Sequence, residues 1–268
     1  MRAHGSATRW TLRLVAVVYV VLLVVVPLLV MVGRTFSDGV GAFVESVTSP
    51  EAITAITLSV EVAIQAVVVN TVFGVAVALL ITRYRFRGRQ VLNALIDLPV
   101  SVSPVIAGLA LILVYGSSGW FGRALAAIGV QVIYSVPGIV LATCFVSLPL
   151  VVRELIPVLD EIGLEQEQAG RSLGAGAWQR LWRLTLPSVR WALAYGVVLS
   201  LARALGEFGA VRVVAGNVLG ATQTMPLLAA QRYADLDETG AYAISFVMVA
   251  IAIVCIIVVA VLRPREHN

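Results

Sequence analysis

The chain contains no lysine: all 19 of its basic residues are arginine. It also has only two cysteines, two histidines and 13% charged residues. Each shortage excludes something. A nucleotide-binding P-loop uses a lysine to reach the β- and γ-phosphates. With no lysine and no G-x-x-x-x-G-K-[ST] run, this chain cannot hold that ATPase site. Cys144 and Cys255 each sit inside an apolar run, as reduced packing residues do. No Cys/His spacing resembles a metal site, and His4 and His267 lie in the tails. No nucleophile–base constellation points to an enzyme. A soluble domain carries roughly a quarter charged residues. At half that share, most of this surface belongs in lipid rather than water.

What fills the space is apolar. The chain is 60% hydrophobic over 268 residues, with a mean hydropathy of +0.97. A spanning helix needs about 20 mostly apolar residues. Six segments qualify: 14–33, 57–82, 91–115, 136–157, 189–209 and 242–262. Only helices close their backbone hydrogen bonds within a lipid-exposed segment, so the expected fold is an all-α integral membrane protein. The first run is too long for an ordinary signal core. Gly33-Arg34-Thr35 after it offers no small-x-small cleavage site, so it reads as a retained helix.

Arginine sets the orientation. The N-terminal tail holds Arg2, Arg9 and Arg13. The connection after the second segment holds Arg83, Arg85, Arg87 and Arg89. The region after the fourth holds Arg153, Arg171, Arg180, Arg183 and Arg190, and the C-tail holds Arg263 and Arg265. The opposite side has Arg34, Arg123, Arg212 and Arg232, while Arg203 falls inside the fifth segment. The excess marks the cytoplasmic face, with both termini inside. This distribution also explains the net charge of +4 without nucleic acid. The external loops carry six acids (Asp38, Glu45, Glu51, Asp235, Asp237 and Glu238) against those four arginines, so they do not concentrate anions. No internal repeat is evident. Six helices are few for a complete secondary carrier, many of which contain repeats. A permease half that pairs with another chain fits better.

The cytoplasmic loop near 158–188 reads as amphipathic helix. Trp178, Leu181 and Trp182 fall at i, i+3, i+4 and form one apolar stripe. Gly174 permits a sharp turn, and Pro187 suits a helix start. Such a helix lies on the membrane or sits in a partner's groove. The spacing Gln168-Ala169-Gly170, Gly174, Leu186-Pro187 resembles the EAA motif of ATP-binding-cassette (ABC) importer permeases, E-A-A-x-x-x-G, a spacer, then x-L-P. Gln168 and Gly170 depart from the usual Glu and Ala. In that family the loop forms the coupling helices that dock onto the ATPase.

The resemblance extends over roughly 55–262. Phe86-Arg87-Gly88-Arg89, Asp97-Leu98-Pro99, Ser103-Pro104-Val105 and Leu186-Pro187-Ser188-Val189-Arg190-Trp191 are similar to sulfate/thiosulfate permeases, the W type in particular. Gly206-Glu207-Phe208-Gly209-Ala210 and Thr222-Gln223-Thr224-Met225-Pro226 look equally like molybdate/tungstate permeases. The resemblance implies the type I importer permease fold as a single domain over 1–268, in the cytoplasmic membrane. It implies no cofactor on this chain, with ATP and Mg on two partner ATPase subunits. It further implies a second, T-type permease and an extracytoplasmic sulfate-binding protein. The reading from a different class, a stand-alone carrier driven by ion gradients, would transport without any ATPase.

Four charges fall in or near apolar segments: Glu61, Asp97, Arg203 and Glu207. An isolated charge there costs several kcal/mol, so each is expected to face protein or water. Arg203 and Glu207 stand at i, i+4 and can pair. The pair either lines the anion path as a gate or fixes a helix interface. The third segment contains Pro99, Ser101, Ser103 and Pro104. Its prolines are expected to kink it, leaving Ser101 and Ser103 hydroxyls for a cavity or merely for packing.

Overall fold

The computed structural model describes residues 4–262, with the side chains of 10–258. Arg2, Arg263, Arg265 and His267 lie outside the described residues, as do the side chains of His4 and Arg9. Among the described residues every regular element is helical. Helix α1 (His4–Val20) opens into a π-helical turn at Val21–Val25 and continues as α2 (Val26–Thr35). Short α3 (Gly39–Thr48) leads into α4 (Pro50–Arg83), followed by α5 (Arg89–Ser101), α6 (Pro104–Tyr115) and α7 (Gly122–Ala127). Helix α8 is Val136–Ile162. The next connection holds α9 (Glu165–Ser172), α10 (Ala177–Arg180), a second π-helical turn at Leu181–Thr185 and α11 (Leu186–Ser188). Helices α12 (Arg190–Leu205), α13 (Gly209–Val214), α14 (Met225–Ala234) and α15 (Glu238–Leu262) complete the chain.

Four stretches are long and apolar enough to cross a bilayer unbroken: Trp10–Thr35, Pro50–Arg83, Val136–Ile162 and Glu238–Val258. The two other expected spans are not straight helices. Segment 91–115 is α5 and α6, set at 115° to one another. Pro104 has no N–H to bond backwards and its ring excludes the preceding residue from helical space. Val102 and Ser103 are accordingly extended, with ψ of 135° and 133°. A kink was expected; the outcome is a full break. Segment 189–209 also stops early, because α12 ends at Leu205 and the chain restarts at Gly209. At its other end α12 meets the α10–α11 stretch at 75°.

Both π-helical turns run up to a proline, Pro27 and Pro187. Widening the turn moves aside the carbonyl that the proline ring would strike. Helix α4 has a conventional start: Ser49 Oγ accepts from Ala52 N at 3.3 Å, Pro50 opens the first turn and Glu51 faces the helix dipole.

Helix α8 is the hub. Ile139, Ala142, Val151 and Val152 are fully buried, and core clusters join α8 to α4, α5, α12 and α13. The α4–α8 contact is both polar and close. Asn70 Nδ2 donates to Cys144 O at 3.0 Å and to Ser147 Oγ at 2.8 Å. One helical turn on, a Cβ at Gly74 would lie 2.9 Å from Val151 Cγ1. Small residues at a contact let membrane helices approach, and a few hydrogen bonds add about 0.6 kcal/mol each. A fourth cluster of Ala52, Ala55, Met225, Leu228 and Ile244 joins α4, α14 and α15. Phe36, Phe43 and Phe246, with ring centroids 5.2–5.6 Å apart, fasten α2 and α3 to α15. By contrast, every side chain from Trp10 to Val30 is exposed, as suits an apolar helix that faces lipid or another chain.

A Gly74→Val substitution should part α4 from α8, because Val151 is fully buried and its branched side chain cannot yield. A loss of about 1–3 kcal/mol is expected, read as a lowered unfolding temperature of the chain in detergent, whereas Gly33→Val, in open space, should leave it unchanged.

Candidate functional site: the 163–189 loop and the two helix breaks

The loop is built around one turn. Gly174 has φ +82°, its N–H donates to Arg171 O at 3.0 Å, and Ala175 N donates to Gly170 O at 2.9 Å. This pair of bonds is a Schellman cap, and only glycine adopts its left-handed position freely. Arg180 Nη1 donates to Ala175 O at 2.7 Å and holds the returning strand of chain. Gly170 packs so closely that a Cβ would lie 2.9 Å from Leu184 Cδ1. That atom is the flexible end of a side chain, which can shift aside for an alanine methyl.

Gln168 and Ala169 are exposed, as are Gly174 and Pro187; Leu186 is half-buried. Trp178 and Trp182 are 69% and 55% exposed and meet edge to face, with centroids 5.6 Å apart. The expected stripe is present on the helix, and its tryptophans stand largely exposed. The Gln168 side chain makes no hydrogen bond among the described residues. The charge that anchors the loop is one position earlier. Arg83 Nε donates to Glu167 Oε1 at 2.9 Å and Arg83 Nη1 to Leu159 O at 3.0 Å. Thr185 Oγ1 donates to the same Glu167 oxygen at 3.1 Å. Sequence reading missed this pair, because its two halves stand 84 residues apart.

The helix breaks meet each other. A Cβ at Gly209 would lie 3.0 Å from Pro104 Cβ, and one at Gly108 would lie 2.9 Å from Ala210 O. So α6 and α13 pack backbone to backbone, and the start of α6 lies beside the start of α13. Glu207 is 3% exposed. Its Oε1 accepts from Ala210 N at 2.9 Å, which caps α13 across the break. Its Oε2 lies 2.6 Å from Arg203 Nη1, an ion pair by distance without hydrogen-bond alignment. The Arg203 side chain is 38% exposed, and its other N–H groups find no acceptor among the described residues.

Ser103, at the N-terminal cap of α6, and Ser101 are both exposed. Ser101 Oγ reaches only Asp97 O, at 3.5 Å. The break thus brings Pro104 against Gly209, while Ser101 stays on α5. The other two intramembrane charges are not isolated. Asp97 takes both nitrogens of an Arg153 fork, Nε to Oδ1 at 2.7 Å. Glu61 accepts from Gln65 Nε2 at 3.0 Å on the exposed face of α4.

Glu207→Ala should strip the cap from Ala210 N and leave Arg203 unpaired. Because Arg203 is partly solvated, a loss of about 1–3 kcal/mol is expected. Glu207→Gln, which keeps the acceptor, should lose less in the same detergent unfolding assay.

The model of the binding-protein-dependent transport system inner membrane component family matches residues 70–268. A sulfate transport system permease protein CysW of Synechocystis sp. is 42% identical over 97% of this chain and 94% of the relative. The chloroplastic sulfate permease 2 of Chlamydomonas reinhardtii is 43% identical over 94% of this chain and 71% of the relative. A sulfate transport system permease protein CysT of Escherichia coli is 37% identical over 93% and 90%. The fold matches a chain of a bacterial ABC transporter that imports alginate, with TM-score 0.78 at 16% identity, covering 97% of this chain and 94% of that one. The chain belongs to the family of binding-protein-dependent transport system inner membrane components.

Proposed function

We propose that this chain is one translocating half of an ATP-driven sulfate importer. The observation that carries the coupling half of this reading is the loop at 163–189. It is held by a glycine cap and a partly buried ion pair, yet it leaves Trp178 and Trp182 largely exposed. Exposed aromatics on a preorganised helix fit a partner's groove. With no lysine in the chain, ATP and Mg bind on that partner, an ATPase subunit. A second permease of the T type and an external sulfate-binding protein complete the assembly. The names of the CysW and CysT relatives and an alginate importer complex that includes a periplasmic protein support this composition. The choice of sulfate over molybdate rests on those relatives.

In the membrane, α5–α6 acts as one bent span, and α12 with the α10–α11 stretch it meets at 75° as another. This gives six crossings with both termini in the cytoplasm, as the arginine distribution supports. The discontinuities belong beside the path, since irregular backbone at membrane depth is tolerated only against protein or a water-filled cavity. Arg203 carries the anion-facing role there. Its charge is half neutralised by Glu207, so it attracts a dianion without trapping it, and Ser103 adds a hydroxyl donor. Closure of the ATPases moves the loop and swings the helices to face outward; hydrolysis resets them.

The deciding measurement is ATPase stimulation of the reconstituted complex by sulfate, thiosulfate or molybdate with the binding protein. Sulfate is expected to stimulate; stimulation by molybdate alone would reassign the oxyanion. Arg203→Gln should leave assembly intact and stop transport; loss of assembly would instead make the pair a structural one. Gly174→Val forces a branched residue into left-handed space, at a cost of about 1–2 kcal/mol. It should abolish uptake and weaken ATPase association. Normal uptake by an intact complex would end the docking reading.

A further inference from the structure

Helix α9 buries none of its own residues. Apart from Gly170 beneath Leu184 and a long 3.5 Å hydrogen bond from Ser188 Oγ to Gln166 Oε1, its attachment to the rest of the chain among the described residues is the Glu167 carboxylate. That carboxylate meets Arg83, whose side chain is 9% exposed against 22% for Glu167. Arg83 is the last residue of α4, and its other contact is the carbonyl of Leu159, near the end of α8. Thr185, in the π-helical turn that leads towards α12, donates to the same carboxylate. One guanidinium and one carboxylate therefore join three helices and the π-helical turn.

Charges this sheltered are costly to desolvate, and an apolar contact would stabilise the fold as well or better. What an apolar contact cannot supply is direction. A planar guanidinium fork holds its acceptors at fixed angles and resists sliding as well as pulling. Helices α4 and α8, to which Arg83 is fastened, are themselves locked together by Asn70 and the Gly74–Val151 contact. A displacement of α9 is thereby passed to a rigid helix pair rather than absorbed at a greasy surface.

We infer that Arg83 and Glu167 form the positioning link that transmits movement of the loop to the α4–α8 pair. Neither residue touches substrate or nucleotide. The inference rests on the reading that the loop docks onto an ATPase, and it adds where the movement enters the membrane domain.

The test uses the complete complex in proteoliposomes and reads oxyanion transported per ATP hydrolysed. ATPase subunit co-purification and unfolding temperature are measured alongside. Arg83→Gln and Glu167→Ala should each lower the ratio about tenfold, the size of a typical coupling free energy, while the ATPases stay bound. The double variant should be no worse than either single one, because the two side chains act as one link. Glu167→Gln, which keeps the acceptor oxygen for Arg83 and Thr185, should fall only a fewfold, and it decides the matter should Glu167→Ala fail to assemble. A normal ratio in the single variants, effects that multiply in the double one, or loss of the ATPases from Glu167→Gln would overturn the link. Docking is checked separately. Trp178→Cys should cross-link to an ATPase subunit in the otherwise unaltered complex, and its failure to do so would remove the docking reading itself.

Discussion

A backbone amide without a partner in hydrocarbon costs several kcal/mol, and that one constraint organises this chain. It forces helices everywhere that lipid can reach. It also dictates what must happen where a helix stops. The chain stops twice within its apolar segments, at Val102–Ser103 and at Gly206–Phe208. The two breaks lie against each other, with Gly209 beneath Pro104 and Gly108 beneath the Ala210 carbonyl. The buried amide of Ala210, at the start of α13, is met by the Glu207 carboxylate. Each interruption is thus partly covered by protein, and the carboxylate at the second is balanced by Arg203.

Everything else follows from holding those breaks in place. Helix α8 provides the fixed frame, since its fully buried residues face α4, α12 and α13 at once. The α4–α8 contact uses small residues and one asparagine, which suits a setting where apolar burial gives no advantage over lipid. At one end this frame holds the broken helices; at the other it receives Arg83 and the loop. The proposed path and the proposed docking loop are therefore attached to the same two helices.

Four of the six expected spans were legible as unbroken helices, because the length of an apolar run reports directly on a helix able to cross lipid. The turn at Gly174 was legible too, since a glycine ahead of a new amphipathic run marks a helix cap. The role of Glu207 was only half legible. Its i, i+4 spacing to Arg203 announces a pair, but its cap on Ala210 depends on α12 ending at Leu205, which nothing in the apolar pattern signals. Gln168 drew attention by its place in a motif, while its neighbour Glu167 makes the contact. Motif spacing identifies a loop; it does not reveal which carboxylate finds a partner 84 residues away.

The sequence by itself determined that this chain is helical, membrane-embedded and unable to carry a P-loop. Those properties depend on composition and on local period, and the missing lysine is decisive at any fold. Only the tertiary structure decided that the third apolar segment breaks outright, that its break lies beside that of the fifth, and that Arg83 reaches the loop. Each of these is a contact between residues far apart in the chain. Its energy depends on how closely α4, α6, α8 and α13 can approach, and that is set by packing rather than by any run of residues.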